Sequence, residues 1–335
     1  MKKVDMATGG VRLPYVDILK GIAIVLVVVG HVFGFFVPYH DGMGSVVHRV
    51  IYSFHMPLFM ALAGYVARLV FCDSLWVEWL KKARTLMLPW VCMSTAYVLL
   101  QYGTEDSSVL LSMEARKGYW FLVTLFAIHC VVIIINVVMN WMTEVTELKV
   151  VVAYVAVMGA MFYVVPKYVH DASLCNLHRM MLYFLFGWVL RNVNLFTVSM
   201  KNDLIVFVAF FVYMLLMVIP VQIGVAGYVK GMTAIFFIVA MGMRLYENEI
   251  DAKGTVAGRM MTYLGRKSLA IYVLHYFFFI GMPSLDSVLF TTSNFAVSLS
   301  SALAVSVIVI VFVLMAERLI SQNKYLKLFC MGQIK

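Results

Sequence analysis

His31 stands eleven residues after Lys20 in one apolar run, Lys20-Gly-Ile-Ala-Ile-Val-Leu-Val-Val-Val-Gly-His31. An ionisable side chain held in lipid is costly, so an imidazole that far along a hydrophobic helix reads first as a functional group. His55 and His275 also lie in apolar runs, and imidazole is the side chain whose ordinary titration range spans neutral pH. A second set is cationic: Lys20, Arg68, Lys81, Lys82 and Arg84 fall at the ends of the first three runs. The chain has no P-loop, no glycine-rich dinucleotide fingerprint and no Gly-x-Ser-x-Gly elbow. A phosphate-bearing substrate would therefore have to be held by basic side chains and helix ends. Each group also has a plainer role. A histidine can hydrogen-bond across to a neighbouring helix for about 1 kcal/mol. Arginines and lysines at helix ends can set topology or snorkel to the membrane surface.

The elements that must place these residues are membrane helices. Of the 335 residues, 63% are hydrophobic and 13% charged, with a mean hydropathy of +0.93, which puts the chain among integral membrane proteins. The expected fold is all-α, a polytopic bundle of about ten spans near 15–38, 46–70, 86–102, 118–140, 149–165, 178–191, 203–220, 224–243, 268–284 and 294–316. The first run is too long for a signal-peptide core and no small-x-small pattern follows it, so it reads as a retained helix. One membrane domain, 1–335, is expected, with a short N-terminal segment 1–14 and a tail 317–335. Placing both termini on the cytoplasmic side leaves twenty of the 26 lysines and arginines inside. The net charge of +9 then reflects topology. It does not indicate nucleic-acid binding, because the basic residues are scattered over separate loops.

Counting at 1.5 Å per residue puts His31 about 16 Å beyond Lys20, in the outer half of the membrane. His55, on the returning helix, falls within a turn of the same depth, so the two imidazoles could face one another. His275 follows Ser268 by seven residues and is assigned to the inner half. Arg49, Arg116, Lys117, Trp120, His170, Asp171, His178 and Arg179 fall outside and could bind a sugar through aromatic faces and polar groups. Trp120 and the aromatics near it also suit an interfacial aromatic belt. The cysteines at 72, 92, 130, 175 and 330 have no metal-ligand spacing and read as packing residues, as do most of the 25 methionines. No metal site is expected.

Five segments carry a family resemblance, in order along the chain. Arg12 to His31 resembles the first-helix signature of the membrane acyltransferase-3 family, in which a basic residue precedes a histidine by eleven positions. Phe54-His-Met-Pro57 through Gly64-Tyr65, Lys81-Lys-Ala-Arg84 through Pro89-Trp90, Tyr119-Trp120-Phe-Leu, and Ser268-Leu-Ala-Ile-Tyr272-Val-Leu-His275 resemble its later motifs. The compact length and the Gly-Tyr-Trp-Phe-Leu segment look most like the branch of sugar O-acetyltransferases that includes fucose 4-O-acetylases.

The resemblance implies transfer of an acyl group, usually acetyl from cytoplasmic acetyl-CoA, to a hydroxyl of a cell-surface or lipid-linked glycan at a bacterial inner membrane. It makes His31 a general base or an acyl carrier and leaves open whether His55, the second catalytic candidate, assists. Lys20, Arg68, Lys81 and Arg84 would meet the phosphates of the acyl-CoA. Trp120, Arg49 and His275 would bind the acceptor. Where the family often has an Arg-x-x-Arg pair this chain has Lys81-x-x-Arg84, and Lys20 holds a position often filled by arginine; lysine binds phosphate as a point charge rather than as a two-pronged fork. The rival class is a polytopic transporter or flippase of a glycolipid or small solute. Such proteins often show related halves with broken helices, and no convincing internal repeat joins the halves here.

Overall fold

The computed structural model describes residues 13–36, 42–69, 74–103, 109, 112, 115–141, 147–170, 174–218, 224–247, 255–280 and 295–333. Every regular element among the described residues is helical, and the protein is an all-α, multi-pass membrane protein. Seven of the described helices are long and apolar enough to cross a membrane, or eight if one bent pair forms a single span. Two shorter apolar helices, Asp203–Val218 and Ser268–Phe279, fall on two more of the segments read as spans from the sequence.

Helix α1 (Pro14–Phe36) is followed by α2 (Gly42–Tyr65) and then by α3 (Leu75–Lys82). A widened π turn, Ala83–Met87, carries α3 into α4 (Leu88–Tyr102), so this helix begins well before residue 86, where the apolar run starts. Pro89 accounts for the widening: it has no N–H to donate and its ring crowds the preceding turn. The N–H of Leu88 instead reaches back five residues to the Ala83 carbonyl. A 3-10 turn at Lys117–Tyr119 leads into α5 (Trp120–Asn140), then α6 (Glu147–Tyr168), α7 (Leu177–Asn192) and α8 (Asn194–Lys201). Next come α9 (Asp203–Val218), α10 (Val225–Glu247), α11 (Val256–Arg266) and α12 (Ser268–Leu274), which tightens into a 3-10 turn at His275–Phe279. The chain closes with α13 (Phe295–Ile320) and α14 (Lys324–Met331). Helices α7 and α8 meet at a bend of 78°.

Contacts gather into two compact units. The first comprises residues 1–11, 66–185 and 320–335. Within it, the Leu69 carbonyl accepts from Asn136 Nδ2 at 2.7 Å and from the Tyr154 hydroxyl at 3.0 Å, while Asn136 also reaches the Val132 carbonyl at 2.8 Å. With no water in a bilayer core, such side-chain bonds satisfy backbone groups that helices leave over. Helix α14 ends on Gly332, whose φ of 64° suits glycine and lets the chain press against the backbone of Arg84 and Thr85.

The second unit comprises residues 12–65 and 186–319. Helix α11 lies so close along the start of α1 that a Cβ on Gly21 would strike the Met261 carbonyl, and one on Gly265 the Asp17 carbonyl. Small residues permit this approach. The buried Asp17 pairs with Arg266 at 3.4 Å, and the buried Glu317 of α13 with Lys267 at 2.7 Å. Two consecutive cations at the α11–α12 junction thus tie α1 and α13 to one point. Removing one member of such a pair is costly because it strands a desolvated charge. The Tyr15 and Tyr65 hydroxyls meet at 2.7 Å, Arg191 donates to the Tyr65 carbonyl at 3.2 Å, and Arg244 joins the Met200 carbonyl to the Asp203 carboxylate. Leu204, Phe207, Phe211 and Leu215 of α9 and Ile308, Phe312, Met315 and Leu319 of α13 point outward, as lipid-facing side chains do.

Candidate active site

The second unit gathers its imidazoles around His31. That residue sits in the later part of α1 and is partly exposed. Its Nε2 lies 3.0 Å from the Tyr276 hydroxyl and its Nδ1 lies 3.4 Å from the Tyr52 hydroxyl. The ring stacks on His275 with centroids 5.2 Å apart and planes 29° from parallel.

Local sequence explains how three segments converge. Gly30 and Gly34 flank His31 on one face of α1 and leave a shallow groove there. A Cβ on Gly30 would come within 3.1 Å of Ile51 Cγ2 and 3.2 Å of Tyr52 Cε2. Helix α2 packs into that groove and carries His48, Tyr52 and His55 on a single face, since residues three and four apart are neighbours on a helix. His48 stacks on Tyr52 at 3.9 Å, and Tyr52 meets His55 edge-on at 4.8 Å. The third segment is the 3-10 turn after α12, which brings the adjacent residues His275 and Tyr276 to the same imidazole, their own rings 4.3 Å apart. Phe35 and Phe279 close the apolar side, with Phe35 half exposed.

Two of the histidines have their protons placed by the backbone. His55 donates through Nδ1 to the Ile51 carbonyl at 2.7 Å and His275 through Nδ1 to the Ile271 carbonyl at 3.0 Å. In the neutral ring Nε2 is then a bare acceptor. The Nε2 atom of His275 is buried with no hydrogen-bond partner. Buried polar atoms are nearly always satisfied, and a ligand hydroxyl would satisfy this one.

This arrangement differs from the depth count in one respect. His275 was assigned to the inner half and His31 to the outer, yet the two rings are in contact. Helix α11 meets the start of α1, with Gly265 against Asp17, and α12 with its 3-10 turn then carries His275 to the His31 ring. His55 joins the cluster through Tyr52, whose ring it meets edge-on.

The other sequence candidates divide between the units. Lys20, half buried on α1, and Arg49, exposed beside His48 on α2, belong to the unit that holds the histidines. Arg68, Lys81 and Arg84 belong to the other and are exposed; Lys81 pairs with Glu78 at 3.4 Å, and Arg84 rides on the π turn. Trp120 opens α5, half buried, edge-on to Phe121 at 6.1 Å. Arg116 is buried in the same unit: its Nη1 donates to Ser94 Oγ at 2.7 Å and its guanidinium lies 5.5 Å from the centre of the Trp90 ring. Burial draws its proton affinity down from the ordinary arginine value. His170 is exposed, His178 is buried, and Arg179 donates to Asn176 Oδ1 at 3.3 Å. Asp171, the side chain of Lys117 and Cys72 lie outside the described residues. Among the described residues no three of His, Cys, Asp and Glu gather so as to hold a metal ion.

An acyltransferase domain of the acyltransferase-3 type matches residues 13–315, nearly the whole chain. The chain belongs to the acyltransferase-3 family. Two curated relatives each bear the name nodulation protein NolL. The one from Mesorhizobium japonicum is 30% identical over 118 residues, covering 32% of this chain and 31% of its own. The one from Sinorhizobium fredii is 33% identical over 121 residues, covering 32% of each. The chain thus spans about a third of the length of the curated relatives it matches. No solved structure matches.

The family match spans the segments quoted for the resemblance, from Leu13 onward; His275 lies in one of them, but the two hydroxyls that meet the His31 ring nitrogens, of Tyr52 and Tyr276, lie outside those motifs. Tyr52 and His48 could have been found from their helical spacing to His55, and the groove from the Gly30-x-x-x-Gly34 spacing. Tyr276 left no such signal, because its position depends on where α12 changes its winding.

Proposed function

We propose that this member of the family is an O-acyltransferase of the inner membrane, acting as one membrane domain with cytoplasmic termini. It moves an acetyl or other short acyl group from cytoplasmic acyl-CoA to a hydroxyl of a cell-surface or lipid-linked glycan. The observation that carries the reading is the partly exposed His31 ring, held by Tyr276 and stacked on His275, whose Nε2 is unmet. A substrate hydroxyl can reach the first imidazole at its exposed edge, and the second is stacked against that ring.

His31 takes the proton of the acceptor hydroxyl as its oxygen bonds to the thioester carbonyl carbon. The carbon–sulfur bond then breaks, and the leaving thiolate receives that proton to give free thiol. General-base assistance of this kind contributes about 10²–10⁴-fold. A route through acyl-His31 uses the same groups in two steps. His55 supports Tyr52 from the far side. Lys20, in the unit that holds the histidines, would meet the phosphates of the donor, and Arg49 and His275 of that same unit would bind the acceptor. With phosphates near Lys20, the donor's arm runs roughly 16 Å along α1 to the reaction centre.

The test uses membranes containing the full chain, radiolabelled acetyl-CoA and a panel of methyl glycosides, a fucoside among them. Label should appear in a glycoside, and His31→Gln should lower its appearance at least a hundredfold in protein that still extracts as a folded monodisperse species. Transfer at the wild-type rate by that variant would remove His31 from the chemistry. Failure to turn over or bind any acyl-CoA, with glycolipid movement dependent on the chain, would favour the flippase class instead.

A further inference from the structure

The two ring nitrogens of His31 are each approached by a tyrosine hydroxyl, and the two approaches are unequal. Tyr276 is 7% exposed and its hydroxyl lies 3.0 Å from Nε2; Tyr52 is 40% exposed and its hydroxyl lies 3.4 Å from Nδ1. The first distance is an ordinary hydrogen bond, while the second is beyond the usual range. A neutral imidazole has one N–H and one bare nitrogen, so its two partners must play opposite roles.

Resting on the acyl-transfer reading above, we infer that Nδ1 is the reactive nitrogen of His31 and that Tyr276 fixes this by accepting a hydrogen bond from Nε2–H. In this assignment the Tyr52 hydroxyl occupies the place of the acceptor's hydroxyl until the acceptor arrives. A nitrogen whose hydrogen bond to a buried phenol is already made is not free to meet an incoming sugar. The nitrogen on the side of the exposed Tyr52 is. Tyr52 is also well placed to yield: its long bond is weak, and its ring is kept in position by His48 stacked at 3.9 Å rather than by that bond. The partly exposed Gly34 borders it, since a Cβ there would be in ordinary contact with the Tyr52 hydroxyl at 3.7 Å and with His48 Nε2 at 3.9 Å. The acceptor's hydroxyl therefore enters over Gly34 and Tyr52, donates to Nδ1, and loses its proton to that atom as its oxygen attacks the thioester carbon. The same proton then passes from Nδ1 to the departing thiolate. Tyr276 is a positioning residue: it acts on the reaction only through the tautomer and orientation of His31.

The full-length protein, labelled with 15N in its histidine rings and held in detergent micelles, gives a direct reading. Long-range proton–nitrogen spectra distinguish a protonated Nε2 from a protonated Nδ1, and His31→Gln identifies the His31 signals. The expected pattern is a protonated Nε2 and a bare Nδ1 in the wild type, with a mixed pattern in Tyr276→Phe. In transfer assays with acetyl-CoA and the best methyl glycoside, Tyr276→Phe should lower kcat about tenfold at unchanged KM, within what one hydrogen bond supplies. Tyr52→Phe should instead lower the glycoside KM about threefold, because a competing donor has been removed. A wild type protonated at Nδ1 would overturn the assignment, as would a Tyr52→Phe variant that loses as much kcat as Tyr276→Phe. The spectra are independent of turnover, so an inactive His31→Gln and a correct tautomer are separate results. Full transfer by His31→Gln would remove His31, and with it the reactive role of Nδ1, from the chemistry while leaving the measured tautomer in place.

Discussion

Replacing Gly265 by alanine should destabilise the protein, although alanine is the better helix former. The added methyl carbon would lie 2.7 Å from the Asp17 carbonyl carbon and 3.0 Å from the Gly21 nitrogen, and closer still to the Asp17 oxygen. Carbon atoms rest at about 3.5–4.0 Å, so α11 must retreat from α1 by about 1 Å. The obstacle is backbone, which cannot rotate away. Overpacking of this kind costs roughly 1–3 kcal/mol, and alanine returns about 1 kcal/mol through its helix propensity, leaving a net loss of about 1–2 kcal/mol. Gly159 on α6 is the control, because a Cβ there meets nothing within 4 Å and only the gain of up to about 1 kcal/mol remains. The assay is reversible unfolding in mixed micelles, followed by tryptophan fluorescence, with transfer measured on the same samples. Because α12 follows α11 directly, the shift should also stretch the 3.0 Å contact between Tyr276 and His31 and reduce transfer about tenfold. Equal stability of Gly265→Ala and wild type, or a change of the same sign in both variants, would refute the close approach of α1 and α11.

Other outcomes follow from single contacts. Ser94→Ala removes an acceptor 2.7 Å from the buried Arg116 guanidinium and should cost about 1.5–3 kcal/mol in the same unfolding assay, the range for hydrogen bonds to charged groups. Asn136→Leu leaves Tyr154 as the remaining one of the two side chains described on the Leu69 carbonyl; it should cost about 1 kcal/mol, with less than additive loss when combined with Tyr154→Phe. Pro89→Ala supplies the missing N–H, so the π turn should tighten and swing Lys81 and Arg84 around the helix axis. A severalfold rise in the KM for acetyl-CoA with little change in stability is expected, and an unchanged KM would separate the π turn from donor binding.

The bundle was readable in the sequence because lipid imposes long apolar helices, and runs such as 118–140 and 294–316 show them directly. The amphipathic helix α11 was not, since its mixed composition satisfies no span criterion and its fit depends on backbone-to-backbone contact at Gly21 and Gly265. His31 and its spacing from Lys20 were evident, because a polar group in an apolar run stands out. Tyr52 and Tyr276 were not, because tyrosine is common in membrane helices and only the fold brings residues 31, 52 and 276 together.

The His31 cluster takes α1 and α2 from the start of the chain and the turn after α12 from near its end, with residues 66–185 of the other unit made in between. A ribosome delivering this chain must therefore place the first two helices in the bilayer while the partners of their histidines do not yet exist. For the time needed to synthesise more than half of the protein, His31 has Tyr52 beside it but neither His275 nor Tyr276. The His31 cluster is thus among the last parts to be completed during biosynthesis, and a nascent chain stopped before α12 holds His31 and Tyr52 without the ring stack and the buried hydroxyl that complete it.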